Sequence, residues 1–152
     1  MSPKFHIACG TVSGTATYII TKSLPCSFAC CLANFLFDLD HCLEYAVFCI
    51  KNTEKPSLKH FFSGKYFEEK KTLCVIFHGY EYIFIFLVIS ILSFFAGFPT
   101  AWIWAGILIG YSEHMIFDLI GNDCSLRGYS LIYRAFVHFD INKICTRNKK
   151  CG

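Results

Sequence analysis

Four groups of polar residues interrupt an otherwise apolar chain: His6, then Asp38-Leu39-Asp40-His41, then His78-Gly79-Tyr80-Glu81, then Glu113-His114 with Asp118. Imidazole and carboxylate are the donors that zinc, manganese and iron take from proteins. Inside stretches long enough to cross a bilayer such groups are costly, and they persist where they pair, hold ions or do chemistry. Their spacing adds direction. Asp38 and His41 stand three apart, Asp40 and Glu44 four, His78 and Glu81 three, and His114 and Asp118 four. On a helix each such pair shares one face, which is how helical bundles turn ligands inward. The expected metal ligands are therefore His6, Asp40, His41, His78, His114 and Asp118, with Asp38 and Glu81 as the carboxylates that accept a proton. A catalytic zinc keeps one position for water and lowers its pKa to about 7, and a carboxylate left off the metal can act as general base. Glu44 and Glu113 read as structural or solvated groups, His60 and His138 as ordinary surface residues.

The elements that must position these groups are helices in a membrane. The chain has 152 residues, 55% apolar and only 16% charged, which fits one domain of the membrane class. No charged residue occurs from Tyr82 to Gly110, and that run is broken only by Gly97-Phe98-Pro99, so it reads as two helices joined by a tight turn. The pattern predicts helices over about 6–22, 26–50, 73–96 and 100–121. The first is rich in Gly, Ser and Thr, suited to close packing within a bundle. The expected architecture is all-α: a polytopic membrane protein of about four transmembrane helices over 1–123, with a metal site between them. A polar loop at 51–72 and an amphipathic, basic tail at 124–152 complete it.

If four helices alternate, the N-terminus, the 51–72 loop and the tail share one side. That side carries every one of the 14 Lys and Arg residues except Lys22, so both termini are expected in the cytoplasm. At about 1.5 Å per residue, Asp40 lies roughly 20 Å along the second helix from its outer end. His6, His78, His114 and Asp118 lie near the same cytoplasmic face, so the four groups read as one site at one depth. The cysteines at 26, 30, 31, 42 and 49 fall in apolar helical text and are expected to be reduced, with Cys145 and Cys151 as the exceptions. An uncleaved first helix is expected rather than a signal peptide. The expected partners are the lipid bilayer and a phospholipid or other amphiphilic substrate. Nothing reads as a nucleotide loop or a nucleic-acid motif, and oligomeric state is not legible.

These residues resemble the YdjM-like, LexA-regulated family of membrane-bound metal-dependent hydrolases. The resemblance runs through His6, Asp38-Leu39-Asp40-His41, His78, and Gly110-Tyr111-Ser112-Glu113-His114 with Asp118, in that order over roughly residues 1–123. It implies a divalent metal, zinc first and manganese or iron next. The implied activity is hydrolysis of a phosphoester or related bond of a membrane-associated substrate at the cytoplasmic face. Phe37 stands where the family has proline, and Leu73 and Ile83 leave His78 alone where the family's third helix carries a richer histidine motif. Two other readings share the donor set: a di-iron-type membrane oxidoreductase, and a non-enzymatic metal-binding or transport protein.

Overall fold

The computed structural model describes residues 3–122 and 124–145. Its regular elements are helical: α1 (Pro3–Thr21), α2 (Leu24–Leu36), α3 (Leu39–Asn52), α4 (Leu58–Ser63), α5 (Lys65–Lys70), α6 (Glu81–Phe95), α7 (Ala101–Gly121), a 3-10 turn (Leu126–Tyr129), α8 (Leu131–Phe136) and α9 (Ile141–Ile144). The basic residues Arg147, Lys149 and Lys150, and Cys151 of the expected exceptions, lie outside the described residues. Two helical stretches are long and apolar enough to cross a membrane, Leu24–Asn52 and Ala101–Gly121, and Glu81–Phe95 is a shorter apolar helix.

Two expectations about helix limits change. The second helix is broken at Phe37–Asp38, where the amide of His41 turns tightly back to the Asp38 carbonyl (3.1 Å). The third begins at Glu81 rather than near residue 73, so His78 precedes it and shares no helical face with Glu81. By contacts the chain forms two units, Met1–Phe37 with Tyr80–Asp118, and Asp38–Gly79 with Leu119–Gly152. Every passage between them falls in or beside one of the polar groups.

The first unit is built around α2. Ser23 caps it, its side chain accepting from the Cys26 amide, and Pro25 sits in the first turn, where a missing N–H costs nothing. Both neighbouring helices approach α2 through glycines four residues apart. On α1, a Cβ added at Gly10 would lie 2.7 Å from Asn34 Cβ, and one at Gly14 would lie 3.0 Å from Cys31 Cβ and the Ser27 carbonyl. On α7, a Cβ at Gly106 would run into the Cys26 carbonyl, and one at Gly110 into the Cys30 carbonyl. Small residues separated by three others are the motif by which membrane helices bring backbones together when no hydrophobic drive exists between them. Ser27 Oγ adds a hydrogen bond to the Gly14 carbonyl at 2.7 Å. Between α6 and α7 the chain turns at Gly97, whose φ of +68° ends α6 while the Phe98 amide returns to the Ser93 carbonyl.

The second unit has an aromatic core: Tyr45, Phe48 and Cys49 from α3, Tyr66 and Phe67 from α5, then Leu73, Val75, Val137, Ile141 and Ile144. Residues 73–79 run through it without forming a helix. The Leu73 amide donates to the Phe139 carbonyl (2.9 Å), and four further backbone groups are taken by side chains from far along the sequence. Glu44 accepts from the Cys74 amide (2.7 Å) and from Lys70 Nζ (2.7 Å), and Asp40 accepts from the Phe77 amide (2.8 Å). Arg134, fully buried, donates to the carbonyls of Val75 and His78. Burial, with Glu44 and Asp40 near, pushes the Tyr66 phenol well up, so it stays protonated.

Candidate metal centres

In the first unit, α1 and α7 bring His6, His114 and Asp118 together, all three buried. His6 is the residue four before Gly10, while His114 and Asp118 are four and eight after Gly110. At 3.6 residues per turn these positions stay close to one face. The glycine rows that seat both helices on α2 therefore continue directly into the ligand row. His6 Nε2 lies 3.2 Å from Asp118 Oδ1, His114 Nε2 lies 3.6 Å from Asp118 Oδ2, and the two rings stand 4.3 Å apart.

The tautomer of His114 follows from its anchor. Its Nδ1 lies 2.8 Å from the Asn34 carbonyl, which only accepts, so Nδ1 carries the proton. In the neutral ring Nε2 is then a lone pair aimed at a carboxylate oxygen, two acceptors face to face. A cation between them, either a proton or a metal ion, removes that conflict. Two imidazoles and one carboxylate are a donor set of catalytic zinc sites, which keep a fourth position for water. An imidazole whose other nitrogen is held by a carbonyl is the usual way such a ligand is oriented. His6 Nδ1 is buried without a hydrogen-bond partner, so its Nε2 face is what fixes this ring in the cluster.

Around this cluster sits a polar girdle that the sequence left as solvated or structural. Glu113 accepts from Ser13 Oγ (2.5 Å) and from Asn34 Nδ2 (2.7 Å), tying α1, α2 and α7 together one residue from His114. Asn34 thus acts twice, through its side chain on Glu113 and its carbonyl on His114. Sequence reasoning missed it. A lone amide in an apolar helix, at the level of the polar groups, was the available signal.

The second unit assembles the same donor types differently. Asp38, His41 and His78 form a group whose ligand atoms all lie within 4.8 Å of one another. His78 Nε2 is 3.2 Å and His41 Nε2 3.9 Å from the same Asp38 oxygen, Oδ1. On its other side His78 Nδ1 lies 3.0 Å from Asp40 Oδ2. Asp40 therefore orients His78, as carboxylates commonly do for metal-bound histidines, and its Oδ1 is buried without a hydrogen-bond partner. The spacing of Asp40 had suggested a metal ligand; the geometry sets it against His78 Nδ1, outside both groups of donors. His78 thus has a carboxylate oxygen at each of its ring nitrogens.

Glu81, expected as a proton acceptor, stands half-buried in the first turn of α6 and belongs to neither group of donors. His60, expected on the surface, lies with Glu54 (3.8 Å) and Glu69 (3.4 Å), both exposed. Arg134 is the other residue that sequence reasoning missed: it counted only as one more basic group on the cytoplasmic side. No family model, curated protein or solved structure matches this chain.

Proposed function

We propose that the chain is a multi-pass membrane protein with both termini cytoplasmic that binds divalent metal and hydrolyses a phosphoester of a membrane-associated substrate. Zinc is the first candidate, then manganese or iron. The observation that carries the reading is His114: its Nδ1 is held by the Asn34 carbonyl, and its Nε2 faces Asp118 in a cluster with a second buried imidazole. His6, His114 and Asp118 would hold one ion; His41, His78 and Asp38 offer an equivalent set in the second unit. A bound metal would supply Lewis acidity toward the phosphoryl oxygens and a water of lowered pKa. The protein's part is to hold the imidazoles in place through Asn34 and Asp40, and Asp38 would take up a proton where it is left off the metal. In the hydrolysis one water oxygen bonds to phosphorus, the ester P–O bond breaks, and the alcohol leaves with a proton. The resemblance to membrane-bound metal-dependent hydrolases supports the same reading, as do the two apolar spans.

Metal analysis of the protein purified in detergent without chelators tests it. Stoichiometric zinc, manganese or iron is expected, lost in His114→Ala, together with metal-dependent release of phosphate or alcohol from phospholipid vesicles. Protein folded by circular dichroism yet free of these metals after reconstitution with each would end the proposal.

A further inference from the structure

In the second unit the chain leaves α3 and turns back along it. After Asn52, Thr53 takes a left-handed conformation (φ +56°), and the Glu54 amide returns to the Cys49 carbonyl (3.0 Å). Tyr45, about 10 Å back along α3 from Asn52, then holds Ser57. Its Oη accepts from the Ser57 amide and donates to the Ser57 carbonyl, both at 3.1 Å. Ser57 in turn caps α4, its side chain accepting from the His60 amide. The rings of His60 and Phe61 stand 5.6 and 5.3 Å from that of Tyr45. α4 therefore lies beside the last two turns of α3 instead of projecting beyond them.

The outward surface here is apolar. α3 exposes Leu39, Leu43, Val47 and Ile50, spaced four, four and three apart, as one stripe that runs into its last turn. On α4, Phe61 packs on the aromatic core while Leu58 and Phe62, four apart, stand 76% and 63% exposed. The apolar stretch Leu24–Asn52 has 29 residues, about 43 Å at 1.5 Å per residue. A bilayer has about 30 Å of hydrocarbon and 40–45 Å with its headgroups. A span of that length ends in the headgroup layer, and α4, held beside its end, lies at the same depth.

Charge agrees with that depth. Lys51, Lys55, Lys59 and Lys65 are all exposed, and Lys59 stands three residues before Phe62, on its face of the helix. Two glutamates of the loop, Glu54 and Glu69, are turned to His60 (3.8 and 3.4 Å). We propose that α4 is an interfacial anchor for anionic phospholipid. Leu58 and Phe62 enter the acyl boundary of the cytoplasmic leaflet, and Lys55 and Lys59 take its negatively charged headgroups. The proposal rests on the multi-pass reading above and adds the class of lipid that the loop selects. Apolar side chains flanked by lysines are how surface helices hold to anionic membranes, and one lysine near such a surface strengthens association about fivefold.

The test is fluorescence of Phe62→Trp, with Trp102→Phe and Trp104→Phe, in vesicles of phosphatidylcholine and phosphatidylglycerol in equal parts. One lipid or the other carries bromine on its acyl chains, which quenches tryptophan on contact. Brominated phosphatidylglycerol is expected to quench at least about twofold more than brominated phosphatidylcholine, and Lys55→Gln with Lys59→Gln to remove the preference. If that background fails to fold, hydrogen exchange of the 58–63 amides in the unaltered protein reads the same contact. Exchange should be slower in the mixed vesicles than in phosphatidylcholine alone; equal rates overturn the proposal. So does a tryptophan at position 62 that neither lipid quenches, or that both quench equally. Trp102 and Trp104 on α7 report on the span in the unaltered protein. If they are quenched and position 62 is not, the anchor fails and the multi-pass reading stands; if neither is quenched, both fail.

Discussion

The two clusters use the same donors, two imidazoles and one carboxylate, on opposite kinds of scaffold. His6, His114 and Asp118 stand on long helices, and one of their rings is held by a backbone carbonyl. His78 stands on a segment with no regular structure, held by a carboxylate on one side and, at its own carbonyl, by Arg134. In the first unit the packing that makes the fold also places the ligands, because glycines and ligands share one row on each helix. In the second the placement is made by polar side chains recruited for that purpose. A site of the first kind should fail only when a helix moves; one of the second kind should fail when any of several remote hydrogen bonds is lost.

The comparison breaks hardest at the ligands themselves. His114→Ala is expected to abolish metal binding in the first unit, a loss above about 100-fold in affinity, while a second ion, if two are bound, remains with His41 and His78; titration with zinc reads both. Next comes Arg134→Gln. Two charge-assisted hydrogen bonds in a buried place are worth about 1.5–3 kcal/mol each, so the melting temperature should fall. Metal should be lost from the His78 group and kept at His114. If both groups lose metal equally, the two scaffolds are not independent. Asp40→Asn keeps the shape and removes the orienting charge. A 10- to 100-fold drop in affinity, confined to the His78 group, is the expected size for losing such a partner. The smallest effect is Ser13→Ala, which removes one bond to Glu113 and should cost about 1 kcal/mol in chemical denaturation with metal content unchanged.

The same contrast explains what could be read in advance. The i,i+4 spacing of His114 and Asp118 holds because α7 is helical from Ala101 to Gly121, close to the expected limits. The glycine rows stood in plain view as small residues suited to close packing, yet their alignment with the ligands depends on a third helix, α2, that no local pattern names. His78 misleads because its neighbourhood, Leu73 to Gly79, is as apolar as a helix end. What keeps it out of the helix is Asp40, Glu44 and Arg134, thirty residues or more from the backbone groups they hold. Local propensity is a weak prior where remote side chains can satisfy the backbone. The break at Phe37–Asp38 falls at the polar group Asp38-Leu39-Asp40-His41, which its spacing alone placed within one helix.

The seating of α2 between two glycine-bearing helices also has a history in time. Chains are made from the N-terminus at about 5–20 residues per second, so α1 and α2 can close on each other through Gly10 and Gly14 while α7 is still unmade. At that stage His6 has no partner, and the face of α2 carrying Cys26 and Cys30 waits open for Gly106 and Gly110. Insertion of α7 closes that face and delivers His114 and Asp118 in one event. On the proposed metal-binding reading, capture of an ion by the first unit comes late in biogenesis, and a ribosome-bound chain ending before residue 106 should hold the helix pair without the metal.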